Sequence, residues 1–367
     1  SNCGALYLDI AKDAKLITVE NCTFEKNSAD SDCGAFTLVS EKQSQPVTII
    51  NCKFIKNNVN KNYGAFYVEP RNKCQSISVI NCTFDQNNAK CNGGAIGFDS
   101  SLSSTLSISF INCTIENNFA NIESGAFYTR NNCELTLEST SFIRNKASSS
   151  SSSNKENEGN CGALFLSYVD KPSSITVLDC TFEENHANYD IAVQRSAELL
   201  DYKNYYSLKT YGRGGAIYLN PAFNHETSDK SLHMLSVLIE NNRFIDNDAY
   251  DGYAVYIQGD DPQIPIQITE NTFTYNFKER SNENLREKSI IFTEIKNIET
   301  SLNTFNYPNE PAEKPIEVGE GDPEDTEDDG PDNFEIENVT THGRHEYIAK
   351  DNSMLIVSIQ VSHFSNI

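Results

Sequence analysis

Two short motifs alternate through most of this chain at a spacing close to 30 residues. The first is a Gly-Ala step followed by an apolar residue. It reads Cys3-Gly4-Ala5-Leu6, Cys33-Gly34-Ala35-Phe36, Tyr63-Gly64-Ala65-Phe66 and Gly93-Gly94-Ala95-Ile96. It continues as Ser124-Gly125-Ala126-Phe127, Cys161-Gly162-Ala163-Leu164 and Gly214-Gly215-Ala216-Ile217, then loosens to Gly252-Tyr253-Ala254-Val255. The alanines step by 30, 30, 30, 31, 37, 53 and 38 residues. The second motif is Asn-Cys-Thr-Phe with another Asn three residues after the Phe. Its copies start at Asn21, Asn51, Asn81 and Asn112, with Asn27, Asn57, Asn87 and Asn118 as the second amides. Looser copies centre on Phe142, Phe182, Phe244 and Phe273, and Phe305 begins one more. A fixed period of this length means stacked units, each unable to bury its apolar face alone.

The unit is made of strands. Upstream of each first Asn, apolar residues alternate: Ile17 and Val19, Val47 and Ile49, Ile77 and Val79, Ile108 and Phe110, Ile175 and Val177. Period two is the strand period. The phase then slips, because Cys22 and Phe24 are the next apolar positions. A slip needs a bend, and Asn tolerates the left-handed backbone better than any residue but Gly. Each first Asn is therefore expected at a tight corner between two strands, and the Gly-Ala step opens a third. Helix-period segments are missing, apart from a turn near Ser196 to Leu200. Stacking such coils pairs like with like at about 4.8 Å, and parallel crossovers are right-handed. The expected fold is all-β, a right-handed parallel β-helix of about nine coils, about 30 residues each. Cys22, Cys52, Cys82 and Cys113 should form one row. Asn21, Asn51, Asn81 and Asn112 should form a ladder with the second amides, donating and accepting along the axis.

Gly-Gly-Ala-Ile at 93–96 and 214–217, paired with Phe-x-x-Asn, resembles the repeats of the polymorphic outer membrane protein family. Chlamydial surface adhesins are its best-known members. The Asn-Cys-Thr-Phe style and the poly-Ser insert are more similar to surface proteins of trichomonad protists. The resemblance covers about residues 1–307. It implies a cell-surface or secreted protein with an adhesive or recognition role. Chlamydial members end in a translocating β-barrel, whereas this C-terminal region shows no such run of strands.

Four insertions break the period. Three follow Phe-x-x-Asn: one holding Ser148 to Ser153, one from Tyr189 to Arg213, and one from Lys278 to Lys288. The fourth, Asn220 to His233, follows a Gly-Ala strand. Such insertions crowd one side of a solenoid and mark its binding face. Tyr189, Tyr202, Tyr205, Tyr206 and Tyr211 cluster in the second. A tyrosine ring offers a flat apolar face and a hydroxyl, suited to sugars or proteins, although a loop packing its rings against the solenoid explains them too. The repeat domain spans 1–307. Residues 308–333 read as an acidic, Pro-rich linker expected to be disordered. Residues 334–367 regain strand character, as a cap or partial coil.

The 367 residues carry a formal net charge of −23. That opposes counterion-releasing contact with nucleic acid and attraction to anionic membranes. The longest apolar runs, such as Met354 to Val357, fall far short of the roughly 20 residues of a transmembrane helix. The opening Ser1-Asn2-Cys3-Gly4 has no basic-then-apolar leader, which fits a mature form or a fragment.

All eleven cysteines lie between Cys3 and Cys180, an odd number without C-x-x-C spacing. Stacked in register, they are expected to be free buried thiols acting as small hydrophobes. Cys3 with Cys33, or Cys74 with Cys133, are the better disulfide pairs. Asn21, Asn81, Asn112 and Asn338 fit the N-glycosylation pattern. The first three should be committed to the ladder, which leaves Asn338 as the acceptor. The six histidines show no metal spacing, and no cofactor or metal is expected. His186 should lie at a coil edge. Parallel β-helices also host polysaccharide lyases and hydrolases, which use clustered carboxylates. Asp260-Asp261 and His342-Gly343-Arg344 are weak echoes of such sites. The leading expectation is a non-catalytic adhesion or recognition protein binding a host or neighbouring cell-surface protein or glycan. The alternatives are a pectate-lyase-like carbohydrate-active enzyme and a structural surface-coat spacer.

Overall fold

The computed structural model describes residues 3–10, 17–40, 46–70, 76–99, 106–130, 133–148, 161–167, 174–188, 212–220, 236–249, 252–258, 265–275, 290–293, 298–306, 316–318, 335–340 and 356–360. These residues form a parallel β-helix with no helix among them. The first sheet has ten strands, which begin with Leu6–Ile10, Phe36–Ser40 and Phe66–Pro70 and end at Ile316–Val318. The first seven follow a Gly-Ala step, Val255–Ile257 follows Tyr253-Ala254, and the last two follow no such step. The second sheet has nineteen strands in two sets. One set precedes the first-Asn corner, as in Val47–Ile50, and the other follows it, as in Lys53–Ile55. Every pairing is parallel, and through the regular coils the register is unbroken, for example Val47 with Ile77 and Phe54 with Phe84; only the pairings of Ile356–Gln360 shift.

A third sheet, of six two- or three-residue strands such as Asn58–Val59, was not expected. It exists because the coil has a further corner. Lys26, Lys56, Gln86, Asn117, Arg144, Glu184 and Asp246, each one residue before a second Asn, have φ between 47° and 56°. The corner anticipated at the first Asn is present in nine coils, with φ of 49–58° from Asn21 to Leu302.

The Gly-Ala motif follows from crowding between coils. A Cβ on Gly34 would stand 2.0 Å from the Gly64 carbonyl oxygen, and one on Gly64 would stand 1.9 Å from that of Gly94. Only glycine lets neighbouring backbones approach so closely. The adjacent alanines are buried and hydrogen-bond through their backbones, as in Phe36 N to Ala65 O at 2.8 Å. Inside, the Phe row stacks along the axis. Phe24, Phe54 and Phe84 stand 4.9 and 4.7 Å apart, and Phe142, Phe182, Phe244, Phe273 and Phe305 continue at 4.8–5.0 Å. Ile115 fills the same place in the one coil without the ring. Strand periodicity thus becomes a continuous core with no coil-specific packing partner.

The C-terminal part extends this stack. Ile316–Val318, inside the stretch expected to be an unstructured linker, pairs with Ile291–Thr293. Ile356–Gln360 pairs with the last regular strand, Ile298–Asn306, and with Glu335–Thr340. No helix among the described residues is long and apolar enough to cross a membrane.

Candidate functional site

Three rows of polar side chains fix the corners, and their chemistry decides which residues are left free to act. At the second Asn, each amide clamps the coil before it. Asn57 Oδ1 accepts from Asn27 N at 2.9 Å, and Asn57 Nδ2 donates to Phe24 O at 3.0 Å. Its other Nδ2 hydrogen goes on to Asn87 Oδ1 at 2.9 Å. Asn87, Asn118, Asn145, Asn185 and Asn247 repeat the pattern and are buried. The carbonyl and N–H that flank the left-handed residue would otherwise be buried without partners.

The cysteine row does the same work at the first corner. The single S–H of Cys52 is shared between Val19 O and Ile50 O, with Sγ 3.5 and 3.3 Å from them, and Cys52 N donates to Cys82 Sγ at 3.4 Å. Along the axis the residue type changes while the contacts persist. Thr140 Oγ1 takes the N–H of Cys113 and donates to Phe110 O. Asn242 takes the N–H of Cys180 at 2.8 Å and donates to Val177 O at 2.9 Å, and Asn271 and Asn303 follow. These thiols are free and packed in the apolar core, as the sequence led one to expect, and they are hydrogen-bonded clamps as well. Burial pushes the Cys52 thiol up to about 11 and the Cys180 thiol up to about 12. A third row lies just before the Gly-Ala step. Cys33 Sγ reaches Phe36 O and Ala65 O, and Ser124 Oγ reaches Phe127 O and Ala163 O. Cys3, Cys22, Cys33, Cys52, Cys82, Cys91, Cys113, Cys161 and Cys180 are all free thiols, so Cys3 and Cys33 do not form the disulfide considered above.

The first-Asn row departs from expectation in another way. Asn21, Asn51, Asn81 and Asn112 have the anticipated left-handed backbone, yet their side chains face solvent. The hydrogen bond between two of them, from Asn81 Nδ2 to Asn51 Oδ1, is long at 3.4 Å. The buried ladder is the second-Asn row, and the first row is conformational. The sequence placed both rows on the axis, but only packing could show which one faces inward.

All the long insertions open beside the first sheet. The stretches from Ile17 to Ser40 and from Val47 to Pro70 run through both Asn corners without a break. Segments 149–160 and 189–211 lie between the third and first sheets, and 221–235 lies between the first and second. The physical reason is the clamps, since an extra residue at either Asn corner would separate an N–H from its amide. Tyr189, Tyr202, Tyr205, Tyr206 and Tyr211 lie outside the described residues, as do Asp260, Asp261, His342 and Arg344. Asn338 falls in the strand Glu335–Thr340.

The outward face of the first sheet carries a row of rings that sequence reading missed. Tyr128, Phe165, Tyr218, Tyr256 and Phe292 are in register and stack at 4.8–5.3 Å. Gly97 occupies the same row, and the Tyr63 ring lies where its side chain would be. Tyr128, Phe165, Tyr218 and Tyr256 are only 1–5% exposed, so the row is a packed platform and not an open slot. Arg213 sits over the Tyr256 ring, 4.9 Å from its centroid, and the Tyr218 hydroxyl donates to Gln258. The signal was present as an aromatic two residues after Ala in Ala126-Phe127-Tyr128 and Ala216-Ile217-Tyr218. His186 Nδ1 meets Asp248 Oδ2 at 2.8 Å, joining the last strand of the third sheet to the next coil. Among the described residues, no three His, Cys, Asp or Glu side chains group to hold a metal ion.

No protein-family model, curated protein or solved structure matches this chain.

Proposed function

We propose that this chain is a non-catalytic recognition module of a cell-surface or secreted protein. Its working side is the first sheet together with the segments that open beside it. Its partner is a protein or glycan of a host or neighbouring cell. The observation that carries the reading is where the repeat varies in length. The Asn corners hold a constant spacing, while the chain lengthens repeatedly on either side of one sheet. A rigid platform with segments of variable length in the chain beside it is the arrangement by which scaffolds present binding loops. The resemblance of the repeats to polymorphic outer membrane proteins supports the surface setting.

The test is binding of the purified chain to whole cells and to a glycan panel, scored for retention and for cleavage. Replacing Tyr202, Tyr205 and Tyr206 together by Ala should lower retention at least tenfold without moving the thermal midpoint. Unchanged retention removes the insertion face from the reading. Cleavage of any glycan replaces it with the enzyme reading.

A further inference from the structure

We propose that the exposed first-Asn corner is an N-glycan acceptor row, with Asn21, Asn81 and Asn112 as the modified residues. The inference rests on the surface or secreted reading above, since the modification belongs to the secretory route.

Asn21-Cys22-Thr23, Asn81-Cys82-Thr83 and Asn112-Cys113-Thr114 are three of the four glycosylation patterns in the chain. From sequence alone they look unusable, because an amide built into an internal ladder cannot carry a sugar. The fold removes that objection. The ladder is made by Asn27, Asn57, Asn87 and Asn118, one corner further on. At the first corner the middle residue of each pattern points inward, and the Asn on its left-handed backbone points out. The threonines also face outward, in the register row Thr23, Lys53, Thr83, Thr114. Lys53 in that row is what denies Asn51 the pattern. A glycan on any of the three amides projects into solvent and displaces no buried contact. The corner also lies across the coil from the first sheet, with the second sheet's two strand sets meeting at it. One side of the solenoid would carry glycans and the other the insertions.

The chemistry needs a lipid-diphosphate-linked oligosaccharide. The Asn Nδ2 forms a bond to C1 of the first sugar, and the C1–O bond to the diphosphate breaks. The departing lipid diphosphate takes the bonding electrons, one amide proton is lost, and nothing is oxidised or reduced. Transfer occurs on the extended chain, and the finished coil must then tolerate the product, which an outward corner does.

The experiment expresses the full chain behind a supplied secretory leader in a eukaryotic host. Peptide mass spectrometry follows enzymatic deglycosylation in heavy-oxygen water, which marks each occupied Asn as a labelled Asp. Occupancy of at least two of Asn21, Asn81 and Asn112 is expected, and Thr23→Ala, Thr83→Ala and Thr114→Ala should each erase only their own site. Secreted, folded chain with fewer than two of these sites occupied, including occupancy of Asn338 alone, overturns the proposal. The supplied leader separates this result from the surface reading, which is tested independently by surface labelling of the chain in its native cells.

Discussion

At the residue scale, this chain shows that one corner geometry accepts thiol, hydroxyl and amide in turn. What the corner requires is a short side chain that takes one N–H and returns one donor to a carbonyl three residues upstream in the neighbouring coil. Asn87→Ala therefore leaves the Asn57 N–H buried without its acceptor and takes the amide's bond from the Phe54 carbonyl. At about 1–3 kcal/mol for each of the two groups, the cost should be about 2–6 kcal/mol in urea denaturation. Cys82→Thr should cost no more than about 1 kcal/mol, because Thr140 already fills the equivalent place. Equal costs for the two variants would contradict the clamp. The raised thiols of Cys52 and Cys180 also set a pH dependence. A thiol whose folded pKa lies above its unfolded value, about 8.5, stabilises the fold fully below that value. The contribution fades as pH rises from about 9 through 11 and 12. The thermal midpoint should fall over that range, and the fall should be shallower in the Cys52→Thr, Cys180→Thr double variant.

At the element scale, strands in this molecule are defined less by their own propensity than by what lies one coil away. Most are three to five residues long, too short to persist alone. The tightest constraint is the glycine row, where the backbone of one coil nearly touches the next. Gly64→Ala places a methyl 1.9 Å from a carbonyl oxygen that has no flexible way to retreat. The expected outcome is a loss of about 4 kcal/mol, at the severe end for single substitutions, or no folded protein at all. A thermal midpoint within a few degrees of the parent would show that the coils can part there. The aromatic row outside the first sheet is the opposite case, since Thr37 and Gly97 already interrupt it and nothing in the backbone demands rings.

At the scale of the whole molecule, stability is a sum over coils and their interfaces. Register is kept if an entire repeat is removed and lost if part of one is. Deleting residues 64–93 joins Tyr63 to Gly94 and restores the motif. That variant should fold, with a strand-dominated circular dichroism spectrum and a lower thermal midpoint. Deleting residues 64–78 should abolish cooperative unfolding, because a half-coil would place Phe and Asn rows against the wrong neighbours. The same logic explains where the chain could grow. Insertions are excluded from clamped corners and accumulate beside the first sheet, so one side of the solenoid became variable while the rest held its period.

The sequence by itself determined the coil, its period, the parallel stacking and the first corner, because these follow from residues that recur at fixed spacing. It also named the inward Phe and Cys rows, since alternation reports burial directly. The tertiary structure decided what depends on contact between coils. It chose which of two asparagines enters the ladder, made the packed thiols hydrogen-bonding partners as well, and added the second corner at Lys26, Lys56 and Gln86, whose side chains give no sign of a left-handed backbone. It also brought Tyr128, Phe165, Tyr218 and Tyr256 into one stack from coils of unequal length. Period is a one-dimensional property and can be read along the chain. Which side of a row meets solvent is set by the coils above and below it.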